Sequence, residues 1–247
     1  MDITPKKNPS PEDTWAKPVD RLTVTEAPSG VINQNVNGRH LTSPLNGFGQ
    51  LWQKTYQISL KGADVSPEEV VKLWKARLPD LMPSDSRFYP SLSGVKPGEV
   101  ILINATLPGM PGGMPVSTGV LVLYADEVSF SVMTPEGHPE AGFNTFSAYQ
   151  ESGATIAQIQ SLARANDPIF EVGFRLMGGS KQQERIWHTV LTNLGQEFGV
   201  TNSEVSMLKV CVDPKIQWSQ AGNVWHNSVV RTTLSAPVRF AKKVFKR

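Results

Sequence analysis

Three side chains able to move protons stand within five residues of one another. They are Glu136, His138 and Glu140, in the loop from Thr134 to Gly142. A histidine beside carboxylates titrates near neutrality and serves as a general acid or base. The same loop is a poor metal site. One His flanked by Glu has neither the HExxH spacing nor a second His nearby, so no metal is expected here. A purely structural reading stands beside the chemical one. Pro135 and Pro139 stiffen the loop, while Gly137 and Gly142 admit unusual backbone angles.

Other residues offer less. The stretch Leu107 to Pro115 joins glycines to Met110 and Met114, a composition suited to a lid over an apolar opening and equally to a long hairpin connection. It lacks the GxxxxGK[ST] pattern of a phosphate loop. Arg164 and Asp167 flank an Asp-Pro turn that an Arg–Asp pair would pin. Trp218, Trp225, His226 and Asn227 form an aromatic and polar group late in the chain, read as packing of an extension. No Gly-x-Ser-x-Gly elbow occurs. Cys211, the single cysteine, sits in an apolar run and reads as inert. It excludes an intrachain disulfide and any cysteine-cluster metal site.

The elements that must position these residues follow from periodicity. Trp52, Tyr56, Ile58 and Leu60 share one parity, predicting a half-buried strand. Ser66-Pro67-Glu68-Glu69 is a capping box with proline at the first helical position. Val70, Val71, Trp74, Leu78 and Leu81 follow at helical spacing, and Pro79 and Pro83 limit that helix to about three turns. Strands are expected at Val100–Asn104, Val116–Tyr124, Val128–Met133, Phe143–Tyr149, Thr155–Ala163 and Ile169–Met177, separated by Gly, Pro, Asn and Asp. A long helix is expected over 180–198, capped by Ser180 with Gln183, its apolar face made by Ile186, Trp187, Val190, Leu191, Leu194 and Phe198. His188 lies one position off that face. Val205–Val212 is a further strand candidate, and a helical stretch broken at Pro237 ends the chain. Residues 1–47 are rich in proline and predict an extended arm, partly disordered, from which Leu22, Val24, Val31 and Ile32 would dock.

This order predicts an α+β fold, a curved antiparallel sheet wrapped around the long helix, with a gap between them of the kind that takes apolar ligands. Side chains filling the gap are the alternative. The order of elements also resembles the START-like (SRPBCC, helix-grip) superfamily. Gly137-His138-Pro139-Glu140-Ala141-Gly142, followed by Phe146, resembles an uncharacterised bacterial and plant branch of it, a domain of unknown function. Arg164-Ala165-Asn166-Asp167-Pro168 resembles that branch's turn before its last strand. The resemblance spans residues 48–235 and leaves out the arm and a basic tail, 236–247. It implies the helix-grip fold and a cavity. Superfamily members bind lipids, sterols and polyketides, and some act as cyclases or dehydratases.

Composition narrows the classes. Hydrophobic residues make up 39% of the 247 and charged residues 19%, a globular balance. No run reaches the roughly 18–20 apolar residues that span a bilayer, and the first residues lack a signal-peptide core, so a cytoplasmic protein is expected. Between Arg231 and Arg247 stand six basic and no acidic residues. The other 230 residues hold 18 basic and 22 acidic ones. The basic tail suits weak contact with an anionic membrane surface. Aromatic and basic residues do not interleave as a nucleic-acid surface requires. The leading expectation is binding of an apolar, lipid-like or polyketide-like molecule without a cofactor. Met110 and Met114 would stand at its gate, and Trp187, Val190, Leu191 and Leu194 at its wall. A cyclase, dehydratase or hydrolase using His138 with Glu136 or Glu140 is the second expectation, and an interaction protein using arm and tail the third.

Overall fold

The computed structural model describes residues 11–24, 27, 31, 35–108 and 113–235. Ile32, Met110, Pro237 and the basic tail lie outside the described residues. Strand β1 (Leu51–Ser59) is followed by helix α2 (Pro67–Leu81), a helix α1 (Pro11–Thr14) of one turn having preceded it. Then come β2 (Ser86–Tyr89), β3 (Val100–Leu107), β4 (Met114–Ala125), β5 (Ser129–Met133), β6 (Glu140–Glu151) and β7 (Ala154–Ala165). Helices α3 (Pro168–Leu176) and α4 (Gly179–Glu197) precede β8 (Ser206–Asp213), and a 3₁₀ helix covers Trp218–His226. The strands form one antiparallel sheet in the order β2-β3-β4-β5-β6-β7-β1-β8.

Parity decides which residues face the helices. Tyr56 pairs with Ile159, and Ile159 with Phe146, and all three are buried. Trp74 of α2 meets Phe146 edge-on at 5.4 Å between ring centroids. Phe146 stacks on Phe130 at 4.6 Å and meets Trp187 of α4 at 5.6 Å. One aromatic chain thus ties α2, the concave sheet face and α4 together. The opposite face is covered by the N-terminal segment. Leu22 and Val36 pack with Val100, Leu102 and Leu121, and Val24 and Val31 join them. The Asn35 amide donates to the Ser117 carbonyl at 2.7 Å and to Thr232 Oγ1 at 2.9 Å, within the helical stretch 228–235.

Helix α2 starts on the expected capping box, with Ser66 N donating to Glu69 Oε2 at 2.8 Å. It bends at Arg77, two residues before Pro79, because a helical proline lacks the N–H and crowds the preceding turn. The elements differ from the sequence expectation at three places. Residues 169–177 are not a strand: Pro168–Leu176 is helix α3. Asp167 accepts hydrogen bonds from Ile169 N and Phe170 N and Pro168 fills the first helical position, so the cap overrides the strand-like alternation of Phe170, Val172 and Phe174. Helix α4 is not capped by Ser180. Gly178 holds the cap position at φ +81° without a side-chain bond, because Ser180 and Gln183 are engaged by Lys54. The strand β2, only four residues long, carries too few alternations to be read from sequence.

Candidate functional site

The loop between β5 and β6 is braced from several sides. Thr134 N donates to Gly142 O, and Gly142 N to Thr134 Oγ1, each at 3.0 Å. Asn166 N donates to Pro139 O at 3.0 Å. A side chain at Gly137 (φ +81°) would run into the His226 carbonyl, and one at Gly142 into Leu162 O of β7. Both glycines of the hexapeptide are therefore required by close backbone approach.

This bracing sends its three proton-moving residues in different directions. Glu136 turns to the N-terminal segment, where its Oε2 accepts from His40 N at 3.3 Å, and takes no part in the interior. His138 lines a cavity between the sheet and α4. Its Nδ1 lies 3.0 Å from Glu140 N and 3.1 Å from Glu140 O, so the ring is held by the Glu140 backbone in either neutral tautomer. Burial pushes the imidazole down to about 4. It is thus neutral at pH 7, where the sequence suggests titration near neutrality. Glu140 borders the same cavity. Burial raises its carboxyl, while Lys54 and the Gln183 amide pull it back.

The cavity has a volume of about 110 Å³. Its apolar walls come from Leu78 of α2, Ile103 of β3, Val120 of β4, Phe146 of β6, and Ile186 and Trp187 of α4. His138, Glu140, Gln182 and Gln183 make one polar side. A second, polar chamber of about 280 Å³ lies beside it, lined by Trp52, Lys54, Ser161, Arg175 and Lys209 among others. Glu140, Gln183 and Phe174 border both spaces. The wall between them is a hydrogen-bonded relay. Lys54 Nζ donates to Gln183 Oε1 at 2.6 Å, and Gln183 Nε2 donates to Glu140 Oε1 at 2.6 Å. Lys54 also reaches Ser180 Oγ at 3.3 Å and Glu184 at 3.5 Å. Burial lowers the Lys54 ammonium against the pull of Glu140 and Glu184.

Sequence reasoning misses Lys54, yet a signal exists. It shares parity with Trp52, Tyr56 and Ile58, so a charge stands on the inward face of a strand. The structure brings His138, Glu140 and Trp187 together at the cavity. Val190, Leu191 and Leu194 are buried deeper in the core. Met114 packs with Val116, Ala165, Phe170 and Val229. Arg164 pairs with Asp213 at 2.9 Å rather than with Asp167, whose other oxygen accepts from Asn227 Nδ2 at 2.8 Å. His188 lies edge-on to Tyr56 at 6.0 Å. Trp218 and Trp225 are exposed, and His226 Nδ1 accepts from Arg39 at 2.9 Å. Cys211 is half-buried on the edge strand β8. Among the described residues no group of three or more His, Cys, Asp or Glu is placed to hold a metal, and no helix is long and apolar enough to cross a membrane.

No family model matches the sequence, and no curated protein matches it. Solved structures do resemble the fold. The di-domain ARO/CYC StfQ from the steffimycin biosynthetic pathway matches at TM-score 0.44 and 10% identity over 60% of this chain, which spans 50% of that one. The KanY protein matches at TM-score 0.46 and 10% identity, covering 61% of this chain and 99% of that one. Ginseng major latex-like protein 151 from Panax ginseng matches at TM-score 0.40 and 11% identity, covering 61% and 99%. Its own strand order and the long helix held against the concave face of one antiparallel sheet give this chain a helix-grip fold of the α+β class.

Proposed function

We propose that this protein binds a small apolar molecule between its sheet and helix α4. The observation that carries this reading is the apolar cavity walled by Ile103, Val120, Phe146, Ile186 and Trp187. At about 110 Å³ it is smaller than the roughly 300–1,000 Å³ of drug-sized sites. An engineered cavity on the order of 150 Å³ holds benzene, so in this smaller space a single ring or short branched chain is the upper size of an occupant that leaves the walls nearly in place. Longer lipid-like or polyketide-like molecules require the Lys54–Gln183–Glu140 relay to part and join the two chambers.

Calorimetric titration with toluene tests the reading, beside an Ile103→Phe variant whose larger side chain fills the space. Saturable uptake by the native protein and none by the folded variant is the expected result. Equal uptake by both, or no uptake by the native protein of either toluene or a ring of the same size bearing a hydroxyl, would refute it.

A second reading, acid–base chemistry on the bound molecule, is favoured by one observation. His138 and Glu140 border the same cavity. A neutral imidazole carries one N–H donor and one acceptor nitrogen, and a carboxyl raised by burial suits proton exchange. Glu136 has no place in this chemistry. Deuterium exchange at the α-carbon of a small ketone such as cyclohexanone, lost in Glu140→Gln, is the expected signature. Exchange no faster than in buffer would refute it.

A further inference from the structure

The apolar cavity is not lined by hydrocarbon alone. Ser86 of β2, Thr118 of β4, Asn144 of β6 and Trp187 of α4 all border it. Each faces the concave side by strand parity or helix face. Ser86 pairs with Ala105, which packs against the core. Thr118 alternates with the buried Val116 and Val120, and Asn144 precedes Phe146 by two. Ser86 Oγ, Thr118 Oγ1, Asn144 Oδ1 and Trp187 Nε1 are buried and make no hydrogen bond among the described residues. Ser86 is 1% exposed, Thr118 2% and Trp187 6%.

Buried polar atoms are nearly always paired, and one left without a partner is costly. Four of them, on residues from four different elements that border one small space, match a need that the surrounding walls do not meet. The chemistry of the set is specific. Trp187 Nε1–H is a donor only and requires an acceptor. Asn144 Oδ1 is an acceptor only and requires a donor. The two hydroxyls serve either way. A hydroxyl group satisfies both requirements, and a hydroxyl beside a carbonyl does so at two points.

We infer that the occupant is a small ring bearing oxygen, a phenol or hydroxy-carbonyl compound, and not a hydrocarbon tail. This rests on the reading of the cavity as a binding site and names the class of molecule it takes. Ser86, Thr118, Asn144 and Trp187 are the residues that select it.

Phenol and toluene, alike in size, are the probes. Toluene gains more by leaving water, so tighter binding of phenol requires partners inside the cavity. Calorimetry on the native chain is expected to show phenol binding at least about tenfold tighter than toluene, as one or two added hydrogen bonds supply. Thr118→Val and Ser86→Ala, which keep shape while removing a hydroxyl, are expected to cut that margin roughly threefold or more each. Their melting temperatures, expected to hold or rise because a stranded hydroxyl is gone, show that they fold. Toluene binding as tightly as phenol would overturn the inference and leave cavity binding standing. A phenol margin unchanged in both variants would overturn it too. Failure of both probes to bind would overturn this inference and the binding reading together.

Discussion

Lowering the pH from 7 to 5 is expected to destabilise the native chain through His138, and the substitution His138→Asn removes the effect. The folded ring is held at about 4 by burial, whereas an unfolded histidine titrates near 6.5. Between those values the unfolded chain binds a proton that the folded chain refuses. Stability is therefore complete above about 6.5 and is lost as the pH falls towards 4. At about 1.4 kcal/mol per pH unit, the fall from 6.5 to 5 costs at most about 2 kcal/mol. In the His138→Asn variant the introduced amide offers its oxygen to Glu140 N in place of the ring nitrogen, keeping the hydrogen bond without the titration. Glu140 and Asp167, both raised by burial, act in the opposite sense. Their stabilising contribution is present at low pH and lost as pH rises. They remain in both proteins and cancel in the comparison. Urea unfolding at pH 7, 6 and 5, followed by tryptophan fluorescence, measures the difference. His138→Asn is expected to be the less pH-dependent of the two by about 2 kcal/mol at pH 5. Equal pH dependence in the two proteins would refute a buried neutral imidazole.

Two further substitutions test the supports of the site. Lys54→Met leaves the buried Glu140 with the Gln183 amide but no cation, while Glu184 keeps Lys209, and is expected to cost about 3 kcal/mol. The double variant with Glu140→Gln should lose less than the sum of the singles, and strict additivity in urea unfolding would contradict the relay. Asp167→Ala removes the cap of α3 and the partner of Asn227 and is expected to cost about 2 kcal/mol, seen as a lowered melting temperature. An unchanged value would contradict the capping account of α3.

The elements legible in the sequence are those whose burial follows a single period. Trp52, Tyr56 and Ile58 mark β1 by alternation, and Trp187, Val190, Leu191 and Leu194 mark the buried face of α4. Ser66 and Glu69 place the start of α2 by their own chemistry. Helix α3 is hidden because Phe170, Val172 and Phe174 alternate as a strand does. Of its residues only Phe170 is fully buried, so its alternation reflects no sheet face. The site is legible in part. His138 and Glu140 stand out by type and spacing, but Glu136 has the same credentials and turns to His40. Sequence spacing does not record which way a braced loop points its side chains. Lys54, the charge that holds Glu140 and Gln183, is readable only by asking why a lysine sits among inward-facing residues. The stranded atoms of Ser86, Thr118, Asn144 and Trp187 emerge only when four elements meet in space.

A crystal structure of the protein pressurised with xenon tests the central claim most directly. Xenon settles against apolar cavity walls and reports their place and volume. The account predicts an occupied site enclosed by Ile103, Phe146 and Trp187, between the concave face of the sheet and α4. Side chains closing that space, with no xenon between sheet and helix, would contradict it.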